Sequence, residues 1–140
     1  MANETIQTTG SYATCIGSNN PSDSAFSTGT ITAIGSAIAN EDLYPLLDFK
    51  LDITVGTPTA DTTVDLYRRP SDGTDQQPIP ATDYLHEYVG SFVLDNATDE
   101  YYLYGIPNPD PNDTYYALNN SGAQITFSVL VRGRTYGTAA

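Results

Sequence analysis

Apolar and polar residues alternate most regularly between Leu47 and Val55, where Leu47, Phe49, Leu51, Ile53 and Val55 interleave with Asp48, Lys50, Asp52 and Thr54. A period of two predicts a half-buried β-strand. The same period runs through Thr114 to Tyr136, which reads as two long strands joined by a turn at Asn119-Asn120-Ser121-Gly122. In the second of these, Ile125, Phe127, Val129 and Val131 face one way, and Gln124, Thr126, Ser128, Leu130 and Arg132 face the other. Removing large apolar side chains from water contributes roughly 1.5–3 kcal/mol each. The stretch is therefore expected to be a hairpin at the centre of the core, with Leu47 to Val55 as the strand opposite it.

Shorter periodic segments fill the interval. Thr62 to Arg69 carries Val64 and Leu66 on one side, Tyr88 to Leu94 and Tyr101 to Ile106 follow, and an acidic turn from Asp95 to Glu100 separates the last two. Residues 70 to 83 form a polar loop with three prolines, and Pro107 to Asp113 is another proline-rich connection. Strands separated by turn signals in this way predict an all-β fold, an antiparallel β-sandwich of jelly-roll-like type. No fixed-period repeat argues for a solenoid or propeller.

The N-terminal part reads differently. Residues 1 to about 25 are rich in Asn, Thr, Ser and Gly, with isolated Ile6, Tyr12 and Ile16. So few apolar residues cannot order a segment alone. In Phe26 to Ala39, Ile31, Ile34 and Ile38 have helical spacing, yet Gly29 and Gly35 weaken a helix, leaving helix and irregular strand both open. The expected organisation is an extended N-terminal arm and contact segment over residues 1–40, and a sandwich domain over 41–140. Ile6, Tyr12, Ile16, Phe26, Ile31 and Ile34 are the expected partner contacts of the arm. Arg132 and Arg134, cations at the end of the last strand of an acidic chain, are the expected contacts of the sandwich.

Charge narrows the partners. Seventeen acidic residues against five basic ones give a net charge of −12, which repels phosphates and makes nucleic acid and anionic membranes poor partners. A single cysteine, Cys15, excludes an internal disulfide. The N-terminus lacks the basic start and apolar run of a signal peptide, and no apolar run is long enough to span a membrane. Folding in a reducing cytoplasm is the expectation.

Catalytic motifs are few. The sole histidine, His86, has no defined partners, and neither a nucleophile elbow nor a zinc spacing occurs. Asp95, Asp99 and Glu100, like Asp110 and Asp113, sit in turns, where Asp serves the local backbone. Glycosidase carboxylates instead face each other across a cleft. These loops could hold calcium through clustered oxygens, although the EF-hand pattern is absent. The sequence implies no cofactor and no enzymatic activity. Eleven tyrosines, among them Tyr101, Tyr102, Tyr104, Tyr115 and Tyr116, suit core packing, a protein contact surface or a sugar-stacking platform. In each adjacent pair, one ring is expected inside and the other outside.

The segments LDFKLDITV, TTVDLYRRPSDGT, EYVGSFVLDNATDEYYLYGIP, DTYYALNNSGAQI and the final RTY together resemble small structural proteins of tailed bacteriophages. The resemblance spans roughly residues 47 to 136. It implies a β-sandwich virion component, most like a head decoration or cement protein, with a tail component as the alternative. The expected partners are the major capsid protein and further copies of the chain, with a trimer favoured. The expected location is the capsid surface, after synthesis in the host cytoplasm. A carbohydrate-binding module is the rival from another class, and a hydrolase is the weakest reading.

Overall fold

The computed structural model of the protein describes residues 5–38, 44–76, 87–107 and 110–138. Among these residues eight strands run in the order β1 (Thr5–Thr9), β2 (Ala13–Asn19), β3 (Leu46–Val55), β4 (Thr63–Arg69), β5 (Glu87–Val93), β6 (Glu100–Pro107), β7 (Thr114–Asn120) and β8 (Thr126–Thr138), with one helical turn, α1 (Ile34–Ala37), between β2 and β3. All strand pairings are antiparallel.

One sheet has the order β1-β8-β3-β6. β2 continues the line of β1 along the same edge of β8. The other has the order β5-β4-β7. Residues 24–27 lie along the outer edge of β7, through a bridge between Phe26 and Leu118 and bonds from Ser27 N to Ala117 O (2.8 Å) and Asn119 N to Ala25 O (2.9 Å). Counting this short rank, β2-β8-β3-β6 faces (24–27)-β7-β4-β5. This is the strand order of a jelly roll, two interlocked Greek keys, so the fold is the antiparallel sandwich expected from the periodicity.

The inward faces follow the pattern of two. Leu47, Phe49, Leu51 and Ile53 of β3 join Phe127, Val129 and Val131 of β8 in a core completed by Val64, Leu66, Phe92, Leu94, Tyr115 and Ala117 from the second sheet. Phe49 packs on Tyr115 across the sheets, with ring centroids 4.7 Å apart.

Two expectations are corrected. β7 and β8 are not a hairpin, since β7 pairs with β4 and β8 pairs with β3, so the Asn119–Gly122 turn is a corner between sheets. Leu47 to Val55 accordingly lies beside β8, not opposite it. The corner is held by buried Asn119, whose Nδ2 donates to the carbonyls of Pro21 (3.1 Å), Ser22 (3.2 Å) and Ala123 (2.8 Å), while its Oδ1 accepts from Ser121 N (3.0 Å). A side-chain amide that satisfies a corner in this way replaces the backbone pairing that a hairpin would supply.

The N-terminal segment is extended, as expected, but it is built into the sandwich. Cys15 and Ile16 are wholly buried in the core, and Ile16 bridges Ile31. Thr32 N donates to Cys15 O (3.0 Å), and Ile34 N donates to Asp113 O (3.1 Å). The segment overcomes its scarcity of apolar residues because the edges of β8 and β7 offer it hydrogen-bond partners. The proposed boundary at residue 40 lies outside the described residues.

Ile16→Ala should therefore cost about 2–5 kcal/mol, and deletion of residues 1–25 should lower stability severely by removing Ile16 and the β2 rank together. Urea denaturation followed by circular dichroism measures both. Unchanged midpoints would show that β2 contributes nothing to the core.

Candidate functional site

Outward-facing positions of the first sheet gather most of the chain's positive charge. On β3 these are Leu46, Asp48, Lys50, Asp52 and Thr54; their partners on β8 include Arg134, Arg132, Leu130 and Ser128, and on β6 they include Tyr102 and Glu100. Lys50, Arg132 and Arg134 are three of the five basic residues in the sequence.

Asp48 is the centre of this face. Its side chain is fully buried although it points away from the core. Oδ2 accepts from Arg132 Nε (2.7 Å) and from Arg134 Nε (3.0 Å) and Nη2 (2.7 Å), and Oδ1 accepts from Gly105 N (3.1 Å). A register shift between Leu47 and Phe49 sets the Tyr104-Gly105 bulge opposite Asp48, and Gly105 adopts φ +68° there. A left-handed conformation is readily available to glycine. Burial pushes the Asp48 pKa up, but the bonds from Arg134, Arg132 and Gly105 outweigh it and hold the carboxyl below its ordinary value.

The guanidinium groups held by Asp48 carry aromatic rings with them. The Arg132 guanidinium lies 4.8 Å from the Tyr12 ring centre and 5.8 Å from that of Tyr104, and the Arg134 guanidinium lies 5.2 Å from Tyr104. Lys50 Nζ lies 4.8 Å from the Tyr12 ring. Tyr102 and Tyr104 stack on each other at 5.7 Å and 24°, with 43% and 55% of their surfaces exposed. Burial raises the Tyr12 hydroxyl to a pKa of about 12, so it stays protonated at neutral pH. The result is a ladder of alternating cations and rings, an arrangement in which each contact contributes about 0.5–2 kcal/mol.

The expected contact residues divide. Tyr12, Arg132 and Arg134 come together in this ladder. Phe26 is half-buried, with its ring edge-on to Tyr67 at 6.0 Å, and Ile31 packs partly buried against the core. Ile16 and Ile34 are corrected: both are wholly buried, which leaves them no surface to offer a partner. For Ile6 the backbone pairs with Gly137, and its side chain lies outside the described ones. Lys50 and Asp48 complete the ladder without having been singled out, and Tyr102 and Tyr104 join it from the tyrosines named as suited to core packing, a contact surface or a sugar platform. The alternation of β3 and β6 marks them as outward-facing, but the strand order that makes them neighbours is not local information.

The other candidate groups serve the fold. His86 lies outside the described residues. Burial pushes the Cys15 thiol up to about 12 and makes it unreactive as a nucleophile. Asp95 Oδ1 accepts from Ala97 N (3.0 Å), and Asp110 Oδ1 accepts from Asn112 N (2.8 Å), both as turn caps. Among the described residues no three His, Cys, Asp or Glu side chains form a group that could hold a metal ion. No helix among them is long and apolar enough to cross a membrane. Tyr115 points into the core and Tyr116 out of the sheet, as expected of an adjacent pair, yet both are buried. Tyr116 is on the outward side of its sheet, where Arg69 Nη1 donates to its hydroxyl at 2.9 Å. Comparison of the chain with protein-family models, curated proteins and solved structures finds no match.

Asp48→Asn should cost about 3 kcal/mol, because it removes the charge that two partly buried guanidinium groups face. The lowered Asp48 pKa contributes stability above the unfolded carboxylate value, about 3.9, and that contribution is lost as pH falls through the folded value. The stability gap between wild type and Asp48→Asn should therefore be full at neutral pH and close in acid. Asp113 has the opposite sign. Burial raises its pKa, so its contribution is present in acid and lost as pH rises. Asp113→Asn, which keeps the acceptor used by Ser71 N (3.2 Å), should raise the melting temperature at neutral pH relative to wild type. Thermal melts across pH check both signs.

Proposed function

We propose that this chain is a non-enzymatic structural component of a tailed-phage virion, which self-associates and decorates the outside of the capsid by binding the lattice of the major capsid protein. The observation that carries the reading is the resemblance of LDFKLDITV, TTVDLYRRPSDGT, EYVGSFVLDNATDEYYLYGIP and DTYYALNNSGAQI to small virion proteins. With the final RTY, which completes the resemblance, these segments lie on β3 to β8, six strands of the jelly roll. Two physical features support it. Of the carboxylates singled out as candidate chemistry, Asp95, Asp99 and Asp110 accept from backbone N–H groups in their own turns and Asp113 faces Arg68 within the fold. Two of the three exposed tyrosines among the described residues, Tyr102 and Tyr104, share one sheet face with three of the five cations, and Tyr and Arg are residue types enriched at protein contact surfaces.

Binding the assembled shell and not its dissociated subunits would stabilise the shell by mass action. Cytoplasmic synthesis in the host, followed by attachment to the capsid surface, fits a chain with one buried cysteine and a charge of −12. The sugar-binding alternative gains less support. Tyr102 and Tyr104 face one another, and the Arg132 and Arg134 guanidinium groups lie against Tyr104, so protein groups occupy ring faces that a sugar would need.

Mass spectrometry of purified particles should find the chain in heads separated from tails, at many copies per particle. Recovery from tails alone would move it to the tail. Absence from particles would overturn the reading.

A further inference from the structure

Past Arg134 the first sheet narrows to a ribbon of two strands. β3 accompanies β8 only as far as the pair of Leu46 with Arg134, and from there to Thr138 the strand partner of β8 among the described residues is β1 alone. The root of the ribbon is anchored: the Tyr44 ring lies against Gly133 with no room for a Cβ, and Gly10 N donates to Gly133 O at 2.9 Å. That bond also fixes the direction of the backbone groups in β1. In an antiparallel pair, residues whose N–H and C=O point at the partner strand alternate with residues whose groups point away from it. Gly10 points at β8, and with it Thr8 and Ile6. Thr5, Gln7 and Thr9 therefore turn their N–H and C=O groups to the outer edge, where β1 has no strand partner among the described residues.

Sheet edges are normally blunted by charge, proline or a bulge, and the edges at β5 and β6 follow that rule. β6 begins at Glu100, ends at Pro107 and bulges at Gly105; β5 begins at Glu87 and shifts register opposite Leu66 and Tyr67. β1 has none of these devices. Its sequence is Thr-Ile-Gln-Thr-Thr, and in a chain with 17 acidic residues neither it nor its partner stretch from Arg134 to Thr138 carries a carboxylate. Thr8 and Thr9 are exposed. From this unguarded edge we infer that β1 is a self-complementary docking strand, which pairs antiparallel with β1 of a second copy across a twofold axis through Gln7.

A second copy fits because the edge matches itself. The outward groups at positions 5, 7 and 9 are symmetric about position 7, as an isologous contact requires. Thr5 falls opposite Thr9 of the second copy and Gln7 opposite Gln7, so every outward N–H and C=O of both strands finds a partner and no like charges oppose. The first sheets of the two copies then become one, meeting at β1. Two copies of charge −12 repel each other, but from Thr5 to Ser22 the chain has no charged residue, and repulsion is weakest there. Main-chain bonds carry the affinity when a strand docks on an edge. β1 is five residues long, about 17 Å at about 3.4 Å per residue, so the contact is far smaller than the standard interface of about 1,600 Å². A weak reversible dimer follows, half-formed at about 0.1–1 mM. The inference rests on the self-association part of the reading above and not on the virion assignment. Absence from particles leaves it standing.

Sedimentation equilibrium of the full chain, from micromolar to millimolar concentration at physiological salt, tests it. The expected result is a monomer–dimer equilibrium. Gln7→Pro removes an outward N–H and leaves the bonds between β1 and β8 in place, and it should weaken the dimer about tenfold or more. Because position 7 meets itself, Gln7→Lys and Gln7→Glu should each weaken the dimer about threefold or more, and an equimolar mixture of the two should restore it. Far-ultraviolet dichroism checks that the variants fold, and the Lys and Glu mixture decides the matter if Gln7→Pro does not. A monomer at every concentration, a trimer, charge variants that associate like wild type, or a mixture no better than its components would overturn the inference.

Discussion

A carboxylate shut away from water on the outer side of a sheet has to be met by positive charge and hydrogen-bond donors, and Asp48 sets that demand here. Its two oxygens take bonds from β8 through Arg132 and Arg134 and from β6 through Gly105 N, so one side chain of β3 ties three adjacent strands. The guanidinium groups are drawn down along the sheet to reach it. In that position their faces lie against Tyr12 and Tyr104, and Tyr102 stacks on Tyr104 in turn. A buried ion pair of this kind is a weak source of net stability, because desolvation offsets most of the attraction. Its stronger effect is on register. Slipping β3 by one residue would turn Asp48 inward to the core and Phe49 outward, leaving two arginines without their anion.

The second constraint is the sheet edge. Strands at the border of a sheet present unpaired backbone groups that must be covered or blunted. The N-terminal segment covers two of these borders in succession: β1 and β2 line β8, and residues 24–27 line β7. It then returns to β2 at Ile31 and reaches the Pro111–Asp113 backbone through α1. Gly17 and Gly29 permit this return at close range. A Cβ on Gly29 would lie 2.2 Å from Gly17 O, a contact no other residue could make. The segment is thus ordered by main-chain bonding plus a few deeply buried side chains, Cys15, Ile16 and Ile34.

The difference between those two constraints explains what the sequence could disclose. Alternation is local, so β3, β4 and the strands from Tyr88 onward were legible, and with them the all-β sandwich. Edge bonding leaves almost no side-chain signature, and for that reason residues 1 to about 25 read as an arm unable to order itself and Phe26 to Ala39 read as either helix or irregular strand. The corner at Asn119–Gly122 was misread as a hairpin because Asn, Ser and Gly serve both geometries, and only the partners of Asn119 Nδ2 distinguish them. At the candidate site, Tyr12 stood out as an isolated apolar residue of the arm and Arg132 and Arg134 as cations at the end of the last strand, and the fold brings the three together. Lys50, Tyr102 and Tyr104 became part of the same site only once strand order placed β3 between β8 and β6.

Charge economy connects the buried aspartate to how the molecule meets others. The sequence has five cations. Arg68 pairs with Glu87, and Arg69 donates to the Tyr116 hydroxyl, so these two serve contacts of β4 with β5 and β7. The other three lie around Asp48. A chain of net charge −12 thus collects most of its few cations on the sheet face that Asp48 organises. Long-range repulsion between copies or toward other acidic surfaces is weakest where those cations lie, because each offsets part of the surrounding negative potential. The same buried anion that fixes strand register thus also fixes where the guanidinium groups of Arg132 and Arg134 sit on an otherwise acidic fold.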